Sequence, residues 1–75
     1  MSNTAAELND KDIETLGMIR RWASEGYEAY QAGDRQGLAL AWNAVYGLLD
    51  SRARHPVVVA EVNRVGSDLA GLLRG

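Results

Sequence analysis

The 75-residue chain has no cysteine, one histidine and one proline. Without cysteine, neither a disulfide nor a thiolate metal site can stabilise the fold. No apolar run reaches the ~20 residues that span a bilayer, and the N-terminus lacks the basic and apolar segments of a secretory signal. We therefore expect a cytoplasmic protein that does not bind membranes.

Side chains that could catalyse a reaction or bind a metal are also scarce. Asp50, Ser51 and His55 are a nominal nucleophilic set, but catalytic triads are assembled from separated elements rather than from one short turn. Three acidic residues occur at alternate positions, as at the start of a calcium-binding loop: Asp10, Asp12 and Glu14. The glycine and the final glutamate of such a loop are missing, so these acids are better explained as negative charge at a helix N-terminus. There is no glycine-rich phosphate loop. The sequence predicts no enzyme, no metal and no cofactor.

The composition is that of a small globular domain. Apolar residues make up 47% of the chain and charged residues 24%. A chain of this length buries only about 60% of its unfolded surface, and oligomerisation is a common aid to stability at this size. Up to and including Asp34 the chain has seven acidic and three basic residues, whereas after Asp34 it has three acidic and five basic residues. Either an antiparallel partner or the polarity of individual helix faces would explain this asymmetry.

Three helices are predicted, at about residues 10–32, 35–52 and 56–74, in one domain (9–75) after a flexible tail (1–8). Asn9 or Asp10 would cap the first helix, and Thr4 with Glu7 also has capping-box spacing. Gly33 is typical of a helix end, and Asp34 can cap the next helix. Pro56 fits the first position of the third. The fold class is therefore all-α: a helical hairpin plus a C-terminal helix, forming a three-helix bundle that dimerises.

Apolar periodicity assigns a buried side to the first and third helices. The predicted stripe of the first helix is Ile13, Leu16, Ile19, Ala23, Gly26, Tyr27 and Tyr30. The stripe of the third helix is Val58, Val62, Val65, Leu69 and Leu72. Gly66 and Gly71 weaken the third helix by about 1 kcal/mol each relative to alanine. Close approach of a neighbour would explain why glycine occurs at these two positions.

The second helix carries more apolar surface than its neighbours can cover. Residues 38–49 contain one clearly polar side chain, Asn43. Five of its residues can face a core within the chain: Leu38, Ala41, Trp42, Val45 and Leu49. Leu40, Ala44 and Tyr46 remain, and with Trp22 they are the predicted protein interface, because aromatic anchors are typical of interface hot spots.

Residues 19–50 resemble a single tetratricopeptide-type helical hairpin. The resemblance is carried by Trp22, Gly26, Gly33, Asp34 and Trp42. It implies that the glycine of the first helix lets the second pack close and that the large aromatic of the second fills the gap. Leu38 and Val45 depart from the family, which has small residues there, and the expected proline is absent. Stacked repeats normally need about three units, so a lone hairpin would have to pair with something.

These features favour a non-enzymatic module that binds a protein, either a second copy of itself or an unidentified target. Small size and an arginine- and alanine-rich composition suit a bacterial or phage-encoded regulator or inhibitor. The alternative is a helix-turn-helix-like DNA-binding regulator that contacts phosphate through Arg52, Arg54 and His55. The net charge of −2 counts against nucleic acid, because DNA-binding domains usually have a clearly basic face.

Overall fold

The computed structural model describes residues 7–75, which form three helices: α1 (Asp10–Gln31), α2 (Arg35–Ser51) and α3 (Pro56–Arg74). Each end lies within one residue of its predicted position. The helices pack into a bundle with Cα extents of 49 × 19 × 17 Å, and the predicted all-α three-helix bundle is confirmed. The proposed Thr4–Glu7 capping pair and most of the predicted tail lie outside the described residues.

Local hydrogen bonds account for the helix ends. Asn9 caps α1, since its side chain accepts from the Asp12 amide at 2.8 Å and Asp12 accepts from the Asn9 amide at 3.1 Å. At the other end, Gly33 has φ 76°, and the amides of Gly33 and Asp34 donate to Tyr30 and Ala29 at 3.1 and 2.8 Å. This is the Schellman arrangement, in which a glycine takes the left-handed position past the helix end.

The two later helices begin with side-chain caps. The Asp34 carboxylate accepts from the Gly37 amide at 2.9 Å and so starts α2. His55 Nδ1 accepts from the Val57 amide at 3.1 Å, and Pro56 occupies the first turn of α3.

The core runs along the bundle between the three helices. Its buried apolar members are Ile19, Leu38, Ala41, Val45, Leu48, Ala53, Val58, Val62, Val65 and Leu69. The predicted buried sides of α2 and α3 are largely correct. The predicted stripe of α1 is partly wrong, because Ile13, Tyr27 and Tyr30 are exposed while Asp12 and Thr15 are buried.

Two glycines mark close approaches between helices. A Cβ on Gly26 would lie 2.7 Å from a Leu69 methyl carbon and 3.1 Å from the Ala41 Cβ, so all three helices meet there. A Cβ on Gly66 would lie 2.5 Å from the Tyr46 ring. Gly66 therefore permits the close approach of a neighbour, as expected from the sequence. A Cβ on Gly71 would meet nothing within 4 Å, so no neighbour within residues 7–75 explains that glycine.

Candidate protein-contact surface

The register between α1 and α2 locates three of the predicted interface residues. These helices are antiparallel: Ala29 lies near Gly37, Gly26 near Ala41, and Glu14 is ion-paired with Arg52. At each of these contacts the two residue numbers have nearly the same sum, and Trp22 and Ala44 have that sum too. Trp22 of α1 therefore lies at the same level of the bundle as Ala44 of α2. Leu40 is one turn away from Ala44 on the same side of α2.

We call Trp22, Leu40 and Ala44 the α1–α2 face. Leu40 is 61% exposed, and Trp22 and Ala44 are half-buried. A shallow concavity of about 320 Å³ lies against Trp22 and its neighbours Met18, Arg21 and Glu25. Arg21 and Glu25 pair with each other at 3.1 Å. The face therefore has an apolar centre and an ion-paired edge, as the contact patches of protein interfaces commonly do.

Tyr46, the fourth predicted interface residue, lies on the other side of α2. Its ring packs over Gly66 of α3 and stands edge-on to Trp42, with ring centroids 5.4 Å apart and an interplanar angle of 78°. Tyr46 is half-buried by these contacts. The structure therefore does not bring Tyr46 together with Trp22, Leu40 and Ala44, and it gives Tyr46 a packing role between α2 and α3.

The predicted nucleic-acid contacts are largely engaged within the chain. Arg52 forms an ion pair with Glu14 of α1. Arg54 reaches the carbonyl oxygens of Leu49 and Asp50 at 3.4 and 3.5 Å, near the last turn of α2. His55 Nδ1 accepts the Val57 amide, so that nitrogen carries no proton in this arrangement. The ion pair with Glu14 therefore leaves Arg52 less available to a phosphate than the sequence indicates.

The nominal nucleophilic set is not assembled in a productive geometry. Ser51 Oγ donates to the Gly47 carbonyl at 3.1 Å, whereas His55 caps α3. His55 Nε2 is buried and has no partner within residues 7–75. A cavity of about 170 Å³ at the other end of the bundle is lined by Tyr30, Leu38 and Leu72, among others. Its volume is below the roughly 300 Å³ of ordinary small-molecule pockets.

A second exposed surface lies between α1 and α3, and sequence analysis missed it. Ile13 (56% exposed) and Tyr27 (53%) lie seven residues before and after Arg20, on one side of α1. Val57 (51%) lies one turn before Glu61 on α3. We call these five residues the α1–α3 face. The 13–20–27 heptad spacing signals one side of a helix, but it does not indicate whether that side is buried.

Charges occupy the middle of the α1–α3 face. Arg64 donates to both carboxylate oxygens of Glu61, at 3.1 and 2.7 Å. These hydrogen bonds lower the pKa of Glu61, partial burial opposes them, and the positive charges of Arg64 and Arg20 lower the pKa further. Hydrogen bonding to Glu61 raises the pKa of Arg64.

Within residues 7–75, no helix is long and apolar enough to cross a membrane, and no cluster of three or more potential metal-ligating side chains occurs. Comparisons with protein-family models, curated proteins and solved structures found no match to this chain. The comparisons therefore add nothing to the tetratricopeptide resemblance, which rests on the five residues that carry it in the sequence. The space beside Gly26 is filled by Leu69 and Ala41, whereas the expected aromatic, Trp42, contacts Tyr46.

Proposed function

We propose that this protein is a non-enzymatic binding module that holds a protein partner on the α1–α2 face. The observation that carries the proposal is the exposure of Leu40 beside half-buried Trp22. Leu40 is 61% exposed, whereas the other large apolar side chains of α2 are buried or half-buried. A partner with a complementary apolar surface would bury Leu40 and complete the burial of Trp22. Burial of an aliphatic side chain of this size contributes about 1.5–3 kcal/mol.

A small regulator or inhibitor encoded by a bacterium or a phage is the cellular role we propose. Composition and size support it, because the chain has 75 residues and is rich in arginine and alanine. Such a chain would act by occupying a surface of its target rather than by changing it chemically.

DNA binding is the weaker alternative, because the basic turn is engaged. Arg52 is paired with Glu14, Arg54 is directed toward α2 carbonyl oxygens, and His55 caps α3. Non-specific affinity for DNA depends on free lysine and arginine side chains that displace counterions. We therefore expect weak DNA binding at physiological salt.

The test compares capture of a partner by immobilised wild-type protein and by two variants. Leu40→Glu should abolish capture of a protein that the wild type retains, whereas Val57→Glu, at an apolar position on α3 that is 51% exposed, should retain it. Circular dichroism checks that both variants fold. Equal capture by both variants would contradict the proposal. A salt-dependent gel shift with duplex DNA, lost in the Arg52→Ala, Arg54→Ala double variant, would favour the alternative.

A further inference from the structure

One side of α2 carries an apolar projection and an open space at a fixed separation. Leu40 and Gly47 lie two turns apart on the same side of this helix, with Ala44 between them. The Leu40 side chain is 61% exposed, whereas a Cβ built on Gly47 would meet nothing within 4 Å. The space above Gly47 can therefore receive a side chain from another molecule.

Two opposite charges lie beside this part of α2, on α1. Arg21 and Glu25 are one turn apart and form an ion pair at 3.1 Å, with side chains 80% and 48% exposed. With Met18 and Trp22 they line the concavity of about 320 Å³ next to the α1–α2 face. Both charges are therefore accessible to charges of a second molecule that docks on this face.

The midpoints of these two residue pairs lie at the same level of the bundle. On α1 the midpoint is Ala23, and on α2 it lies between Asn43 and Ala44. The register of the antiparallel helices places Trp22 level with Ala44, so Ala23 is level with Asn43. A single axis perpendicular to both helices therefore passes through both midpoints.

A two-fold rotation about that axis makes this surface complementary to itself. The rotation places α1 of a second copy antiparallel on α1 and α2 antiparallel on α2, so residues equidistant from the axis on opposite sides meet. Arg21 of each copy then faces Glu25 of the other copy, each about 3 Å from the axis along α1. Leu40 of each copy lies over Gly47 of the other copy, each about 5 Å from the axis along α2. Trp22 lies next to the axis in both copies, so the contact also covers its exposed part.

We infer that the α1–α2 face binds a second copy of this chain in an antiparallel, two-fold dimer. The inference rests on the proposed function, because it names the partner of the same face. A contact about 25 Å long, the length of the 17-residue α2, and 19 Å wide covers roughly 500 Å² on each copy. Roughly 1,000 Å² in total is the size of a weak, reversible interface, so we expect a dissociation constant on the order of 10 µM.

Opposite charge reversals test the pairing across the axis. Arg21→Glu makes both charged positions acidic, and Glu25→Arg makes both basic. Each variant alone should dimerise at least about tenfold more weakly than the wild type, because like charges then meet at both crossings. An equimolar mixture of the two variants should restore association, since both crossings of the mixed dimer join opposite charges. Mixing would not repair a defect within one chain, so this result separates the dimer from a structural role of the Arg21–Glu25 ion pair.

A glycine substitution tests the space that receives Leu40. Gly47→Gln fills it with a side chain that has open space in the monomer and favours the helix. This variant should fold normally and dimerise at least about tenfold more weakly than the wild type, because the glutamine meets Leu40 of the other copy. Gly71→Gln is the matched control, since a Cβ there also meets nothing within 4 Å but Gly71 lies on α3, and it should dimerise like the wild type.

Sedimentation equilibrium measures association at about 5–200 µM, a range on the order of the expected dissociation constant, and circular dichroism checks folding. A wild type that stays monomeric throughout would overturn the inference. So would a Gly47→Gln variant that dimerises like the wild type, or a mixture of the charge variants that stays monomeric. The proposed function would survive these results if the wild type captured a different protein and Leu40→Glu abolished that capture. If neither association nor capture depends on Leu40, both the inference and the proposed function fail.

Discussion

Replacement of Gly66 by alanine tests how α3 packs on α2. The new Cβ would lie 2.5 and 2.6 Å from two ring carbons of Tyr46 and 2.9 Å from its hydroxyl oxygen. Non-bonded carbons at optimal separation lie about 3.5–4.0 Å apart, so the ring must move by about 1 Å. The edge contact with Trp42 restricts that movement on one side. Overpacking of this kind costs about 1–3 kcal/mol.

Alanine is also the better helix former, by about 1 kcal/mol. We therefore expect Gly66→Ala to lower the free energy of unfolding by about 0–2 kcal/mol. Gly47 and Gly71 are matched controls, because a Cβ at either position meets nothing within 4 Å. The same substitution there should stabilise the protein by up to about 1 kcal/mol. In a domain of this size, the contrast corresponds to melting temperatures roughly 4–20 °C apart.

Urea denaturation and thermal melts followed by circular dichroism measure these differences. A Tyr46→Leu background removes the ring, and in that background Gly66→Ala should become neutral or stabilising. If Gly66→Ala stabilises the otherwise unchanged protein as much as Gly47→Ala does, the Tyr46 ring does not occupy the space beside α3 and the packing argument fails.

Three further substitutions have definite expectations. Asn9→Ala removes the cap of α1 and should cost about 1 kcal/mol in urea denaturation; no change would mean that the capping box contributes nothing. Leu38→Ala, at a side chain 1% exposed, should cost about 2–5 kcal/mol, whereas Leu40→Ala should change stability by less than about 0.5 kcal/mol. Similar losses would place Leu40 in the core. The Glu61 carboxyl should titrate below the usual range of a glutamate by NMR and move upward in Arg64→Ala; an unmoved midpoint would exclude Arg64 as the cause.

The lowered pKa of Glu61 also fixes the sign of its pH dependence. A carboxyl whose pKa is lower in the folded state stabilises the fold above its unfolded pKa. That contribution disappears as the pH falls through the lower, folded-state value. Because the partner Arg64 is 62% exposed and Glu61 only half-buried, solvent screening keeps the effect small. Stability should decline slightly more steeply in acid for the wild type than for Arg64→Ala.

Helix ends were predictable because each depends on a local signal. Gly33 adopts the left-handed conformation that the sequence indicated, Asp34 caps α2, and Pro56 lies in the first turn of α3. The choice between Asn9 and Asp10 as the cap of α1 needed coordinates, since both residue types cap helices well. Asn9 is the cap, paired with Asp12.

Which side of α1 is buried could not be read from periodicity. Two stripes with the same spacing lie one residue apart: one contains Ile13 and Tyr27, and the other contains Asp12, Ile19 and Gly26. The predicted stripe combined residues of both, and the buried one contains Gly26, where α2 and α3 approach α1. Asp12 satisfies its carboxylate in the capping box, so its burial costs little.

The candidate interface depended on long-range packing in the same way. The apolar excess of α2 was visible in the sequence, and Leu40 is exposed as expected. Whether Tyr46 belongs to that excess depends on Gly66, which lies 20 residues away and provides room for the ring. A glycine inside a well-formed helix was the available signal, but the sequence did not identify the side chain that it accommodates.

A bundle with an odd number of helices has unlike ends. α1 and α3 point the same way and α2 the opposite way, so one helix dipole is left uncancelled along the 49 Å axis. Asp10 and Asp12 lie in the first turn of α1 and Arg74 in the last turn of α3, where each opposes the local sign. These side-chain charges therefore offset the uncancelled helix dipole at both ends of the bundle.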